Sequence, residues 1–231
     1  MFKKLSRQLR RRAAFGLHFF SQVKTDGYLY IGTEYGGWPV VTNLMSESSV
    51  VLSFGLGEDI SFDLGVIEQY GSLVHGFDPT PKSLQWLAKQ ELPERFQLHS
   101  VGLADHDGEL QFEAPANPDF ASWTAAKTDT GTEVVRLPVK CLPTLCKELS
   151  LDRIDVLKMD IEGSENSVIQ SLVAGDLRPA QILVEFHHRI HGTGARATID
   201  AVQLLEKVGY RIFYISDTGD EFALVHMDAL V

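Results

Sequence analysis

Two carboxylates spaced two apart, Asp160 and Glu162, close the apolar run of IDVLKMDIEGSE and stand just before Gly163. Acids delivered to the end of a buried strand can orient a substrate hydroxyl or take its proton, and Asp160 is the residue expected to hold a divalent cation such as Mg2+ or Mn2+. Ser164 and Glu165, one step further, read as an N-cap and a first-turn acid complementing the helix dipole. A second group sits in EFHHRIH, where Glu185 precedes His187 and His188. Histidine titrates near neutral pH, so either imidazole is a candidate base for an alcohol, and with His191 the histidines also resemble metal ligands.

The third group is a strand-to-turn passage, VVLSFGLGEDISFD. Gly55 and Gly57 permit a tight turn and close approach of a ligand to backbone. Asp78 lies 21 positions beyond Gly57, at the tip of the next apolar run, where a carboxylate can grip a ribose diol. Thr80 and Pro81 already supply a cap and a first-turn proline, so Asp78 is not needed for that purpose. Glu58 and Asp59 would repel a phosphate at the helix start. Ile60 stands where a dinucleotide fingerprint has its third glycine. A pyrophosphate is disfavoured, and a nucleoside cofactor with a cationic or zwitterionic tail is favoured; S-adenosylmethionine is such a molecule.

These groups need a scaffold that brings strand ends together. Short apolar runs at VVLSF, LVHGF, FQLHSV, IDVLKM, QILVEF, YRIFYI and EFALVHM alternate with helical spacing at 59–70, 81–90, 143–149, 164–174 and 196–208. Such alternation predicts crossover units and a mostly parallel seven-stranded sheet with helices on both faces. Only SDTGD separates the last two runs, which predicts an antiparallel final pair. Between the third and fourth runs lies a polar excursion with two strand-like pieces, GELQFEA and EVVRLPV; its loop 114–132 carries Phe120 and Trp123, which suit the wall of an acceptor pocket.

The chain has 231 residues and a net charge of -10, which disfavours a dedicated nucleic-acid binder. Lys3, Lys4, Arg7, Arg10, Arg11 and Arg12 nevertheless form a basic start. Phe2, Leu5, Leu9, Ala13, Leu17 and Phe20 recur at helical steps, so residues 1–45 read as a basic helical extension and 46–231 as the catalytic domain. The extension either packs on the domain or touches an anionic membrane surface. Two cysteines and no bilayer-length apolar run point to a reducing, cytoplasmic setting.

Taken together, YGGW at 35–38, VLSFGLGEDISFD, GFDPTP at 76–81, GLADHDGEL at 102–110, LKMDIEGSE at 157–165 and ILVEFH at 182–187 resemble the FkbM-type methyltransferases, over about residues 30 to 216. The resemblance implies an α/β, Rossmann-like class I methyltransferase fold and transfer of a methyl group from S-adenosylmethionine to an oxygen of a small-molecule or sugar-containing acceptor. On these motifs the cofactor set is Gly55, Gly57, Glu58, Asp59, Asp78, Pro79, Gly102 and Asp105. The catalytic set is Asp160, Glu162, His187 and His188. Ser53 departs from the acid that many methyltransferases carry at the end of the first strand. A nucleotide-dependent oxidoreductase and a non-catalytic cofactor-binding module are the competing readings.

Overall fold

The computed structural model describes residue 15 and residues 22–113, 124–125, 134–187 and 194–231. The basic helix expected in the first 20 residues, apart from Phe15, the acceptor loop with Phe120 and Trp123, and His188 and His191 lie outside the described residues.

Seven strands form the central sheet. In chain order they are β3 (Val50–Phe54), β4 (Leu73–Phe77), β5 (Phe96–His99), β10 (Val156–Met159), β11 (Gln181–Glu185), β12 (Tyr210–Ile215) and β13 (Glu221–His226). Their spatial order is β12-β13-β11-β10-β3-β4-β5. Five neighbouring strands from β11 to β5 run parallel, while β13 inserts antiparallel between β11 and β12. The expected sheet and its antiparallel end are therefore present.

Helices α1 (Ser61–Tyr70), α2 (Pro81–Leu87), α3 (Leu142–Glu148), α4 (Glu165–Ala174) and α5 (Gly194–Lys207) alternate with the strands. Both sheet faces are covered, which explains why the strands are apolar on successive residues instead of every second one. Leu52, Phe54, Leu157, Met159, Ile182 and Val184 fill one face, and Val51, Val74, Val156 and Leu183 fill the other.

From β3 the chain winds outward to β4 and β5, yet β10 and β11 return on the opposite side of β3. Strand order thus reverses between β3 and β10. Open α/β sheets part their loops at such a point and leave a crevice beyond the carboxyl ends of the strands.

Two smaller sheets flank that crevice. The polar excursion contributes β7 (Gly108–Glu113) and β9 (Val134–Lys140), the strands expected from GELQFEA and EVVRLPV. With β6 (Gly102–Leu103) and β8 (Thr124–Ala125) they make a separate sheet ordered β6-β9-β7-β8.

The second small sheet differs from expectation. Part of the stretch assigned to a helical extension is instead a hairpin, β1 (Tyr28–Ile31) and β2 (Trp38–Val41). Ile31, Trp38, Val40 and Val41 are buried in the domain core, and the Val41 N–H donates to the buried Gln181 Oε1 on β11 at 2.7 Å. Apolar residues on successive β2 positions conceal the alternation that would have announced a strand.

Candidate active site

The crevice opens into a cavity of about 610 Å³, within the usual range for small-molecule sites. Its floor is the turn after β3. Gly55 and Gly57 have φ of +77° and +56°, values that favour glycine. A Cβ at Gly55 would collide with the carbonyl oxygen of Asp160, so β3 and β10 lie as close as a missing side chain allows. A Cβ at Gly57 would meet no atom within 4 Å, so that residue presents bare backbone beside open space.

Asp78 stands at the tip of β4 and lines the cavity, as expected. Its carboxylate is nevertheless committed to protein donors. Oδ2 accepts from the Leu56 and Gly57 N–H groups, both at 3.0 Å, and Oδ1 accepts from the Thr80 N–H at 2.8 Å and hydroxyl at 2.6 Å. A carboxylate offers about four acceptor positions, and all four are used. The view that Asp78 has no part in starting α2 is thus corrected: it pins the glycine turn and bonds the residue before the helix. Pro79 and Gly102 also line the cavity, with Leu103 and Phe112 adding apolar wall.

Glu58 and Asp59 line the cavity too. Glu58 pairs with Lys82 at 3.3 Å. Asp59 accepts from the Thr33 hydroxyl at 2.6 Å and the Ser61 N–H at 2.8 Å. Burial pushes its pKa up, but these hydrogen bonds prevail and hold it below the usual carboxylate range. Asp105 does not reach the cavity: β6 is only two residues long, and the chain has already turned toward β7, leaving Asp105 half-exposed and paired with His106 at 2.7 Å.

On the opposite wall the ends of β10 and β11 meet. Met159 pairs with Val184, so Asp160 and Glu185 follow side by side. Glu162 holds a φ of +51° in the turn that leads to α4, a strained setting for a residue with a side chain. His187 is the centre of this wall. Its Nδ1 lies 2.7 Å from Glu165 Oε1, and its Nε2 lies 3.3 Å from Glu162 and 3.6 Å from Asp160. Three of the four expected catalytic residues are brought together.

Charge follows from this packing. Burial opposes the imidazolium, but the hydrogen bond to Glu165 and the charges of Glu165, Glu162 and Asp160 outweigh it and push His187 up to about 10. Burial, reinforced by Asp160, pushes Glu185 up to about 8. Asp160 is raised as well, chiefly by burial, with Lys158 and His187 opposing. The neutral imidazole expected of His187 is thus disfavoured by its surroundings, because the three acids around the ring favour its protonated form.

Several residues of the site escaped sequence reasoning. Glu165 has only 2% of its side chain exposed and bonds His187 as well as the Gly163 N–H at 2.9 Å; the dipole explanation concealed this. Ser164 makes no side-chain cap. Lys158 is buried, lines the cavity and donates to the Gly55 carbonyl at 2.9 Å. A lone lysine inside IDVLKM was the available signal. The hairpin carries Glu34 and the exposed Tyr35 to the rim, and β13 contributes Glu221, which pairs in register with Glu185.

Compared with known proteins, residues 55–212 match the family model described as the methyltransferase FkbM domain. No curated protein matches the chain. Among solved structures, the chain is similar to methyltransferase FkbM from Methylobacillus flagellatus KT, with 14% identity and a TM-score of 0.47; the match covers 78% of this chain but only 44% of that one. A fibrillarin pre-rRNA processing protein of Methanococcus jannaschii has 12% identity and a TM-score of 0.48 over 78% of this chain and 67% of that one. Fibrillarin of Aeropyrum pernix, in complex with natively bound S-adenosyl-L-methionine, has 9% identity and a TM-score of 0.45 over 87% and 83%.

Proposed function

We propose a function from one premise: the chain belongs to the methyltransferase FkbM family, whose domain spans residues 55–212, and it transfers a methyl group from S-adenosylmethionine to an oxygen of a small-molecule or sugar-containing acceptor. The observation that carries this reading is the division of the cavity into two chemically different walls. One is a turn of bare backbone held by Asp78; the other is a cluster of carboxylates around His187.

The residues fit a nucleoside with an amino-acid tail. Gly57 leaves open space a Cβ would fill, and Glu58 and Asp59 at the turn suit a cationic end. Gly55, Gly57 and Pro79, on the turn that Asp78 pins, would hold the polar parts, while Gly102, Leu103 and Phe112 would flank the flat apolar part. When bound, S-adenosylmethionine supplies an electrophilic methyl group on a sulfonium.

The chain's own residues then act on the acceptor. Asp160 takes the proton of an approaching hydroxyl, and the burial that raises its pKa makes it a stronger base than an exposed carboxylate. His187, fixed by Glu165, faces Asp160 and Glu162 and orients them. Tyr35 at the rim offers an aromatic face for a ring or sugar.

Methyl transfer from labelled S-adenosylmethionine across a panel of hydroxylated acceptors tests the reading. Asp160→Asn should bind the methyl donor almost as the parent does and lose on the order of a hundredfold in turnover. Absence of S-adenosylmethionine binding in calorimetry would sink the proposal outright.

A further inference from the structure

We propose that Asp160, Glu185 and His187 form a site for one divalent cation of the Mn2+ type, open on the cavity side to an oxygen of the acceptor. The acceptor's part in this rests on the methyl-transfer reading; the cation site itself does not. One ligand atom from each of the three residues lies within 4.8 Å of the other two. They come from neighbouring strands whose parallel register sets Asp160 beside Glu185, with His187 two residues further along the same edge.

A second observation lies outside the ligand set. Glu165 is almost wholly buried on α4 and bonds His187 Nδ1 at 2.7 Å, which turns Nε2 toward the acids. Metal-bound imidazoles are held in this manner, with the far nitrogen donating to a carboxylate that fixes ring and tautomer. Glu165 is itself anchored by the Gly163 N–H, so the ring is preset before any cation arrives.

The donor set narrows the choice among hard cations. Two carboxylate oxygens favour a hard cation, and one imidazole nitrogen favours Mn2+ over Mg2+ or Ca2+. Three protein ligands leave open positions on an octahedral ion. Glu185 and Asp160 both face the cavity, so those positions are accessible to a hydroxyl oxygen.

The test is titration of the full chain with Mn2+, followed by the loss of the free-ion electron paramagnetic resonance signal. The parent should bind one equivalent, and Asp160→Asn, Glu185→Gln and His187→Asn should each weaken binding at least tenfold, while Asp105→Asn, outside the cavity, leaves it unchanged. Circular dichroism establishes that each variant is folded, and Glu185→Gln, nearly isosteric, stands in if another does not fold. A parent that leaves the Mn2+ signal untouched, or three folded variants that bind as the parent does, overturns the site. S-adenosylmethionine affinity is measured separately: Mn2+ bound with no affinity for the methyl donor upholds the cation site and removes the methyl-transfer reading, whereas the reverse result does the opposite.

Discussion

His187 on the edge after β11 and Glu165 at the first turn of α4 share a hydrogen bond of 2.7 Å although 22 residues separate them in the chain. That bond links the strand edge carrying the site to the helix behind it and gives the imidazole one orientation. Glu165→Gln keeps an acceptor for the ring but removes a charge, so turnover should fall roughly tenfold with unchanged affinity for S-adenosylmethionine. Glu165→Ala frees the ring and should cost more. Equal activity of parent and both variants would show that His187 needs no clamp.

Gly55 and Gly57 should respond differently to the same substitution. Gly55→Ala forces a side chain against the Asp160 carbonyl and should separate β3 from β10, with a loss of about 2 to 4 kcal/mol, from roughly 1 to 3 kcal/mol for overpacking plus about 1 for a residue held at positive φ. Gly57→Ala meets no protein atom, so it should cost only about 1 kcal/mol and act instead on ligand affinity. Urea unfolding and calorimetry, run on both variants, separate the two effects.

Lys158 is the cation whose charge opposes the burial that raises the pKa of Asp63, a residue only 1% exposed. Lys158→Met retains length and removes the charge, so it should destabilise the fold by about 3 kcal/mol or more, the scale for orphaning a buried charge. Adding Asp63→Asn should recover part of that loss. A double variant no more stable than Lys158→Met would mean that the two charges do not interact.

Acid sensitivity should come in part from His75. Burial, with the neighbouring His99, lowers its pKa from 6.5 to about 4. Its folded pKa lies below the unfolded value, so the stability of keeping it neutral is present above pH 6.5 and is lost as pH falls toward 4. The loss amounts to at most about 3 kcal/mol. His75→Gln should flatten the dependence of Tm on pH across that window while leaving its slope above pH 7 unchanged. An identical acid limb in the variant would assign the sensitivity elsewhere.

Much of the molecule was legible in order along the chain because local pattern carries it. Apolar runs separated by helical spacing announce a parallel sheet buried on both faces, and parallel strands put their carboxyl ends, hence Asp160, Glu162 and the glycine turn, on one edge. A side chain's partners are another matter. Asp78 was read as a ribose ligand because it ends its strand and Thr80 and Pro81 already supply the cap, but the folded turn aims four donors at it. His187 was read as a base because an unperturbed imidazole titrates near neutral pH, but register and helix packing surround it with Glu165, Glu162 and Asp160, which push its pKa up. The β1–β2 hairpin escaped because β2 is apolar at every position, so its alternation was lost and only its packing against β11 revealed it. Periodicity is a property of consecutive residues and survives in the sequence. Protonation, orientation and hydrogen-bond partners depend on distances between elements far apart in the chain, and those distances exist only once the sheet has closed its register.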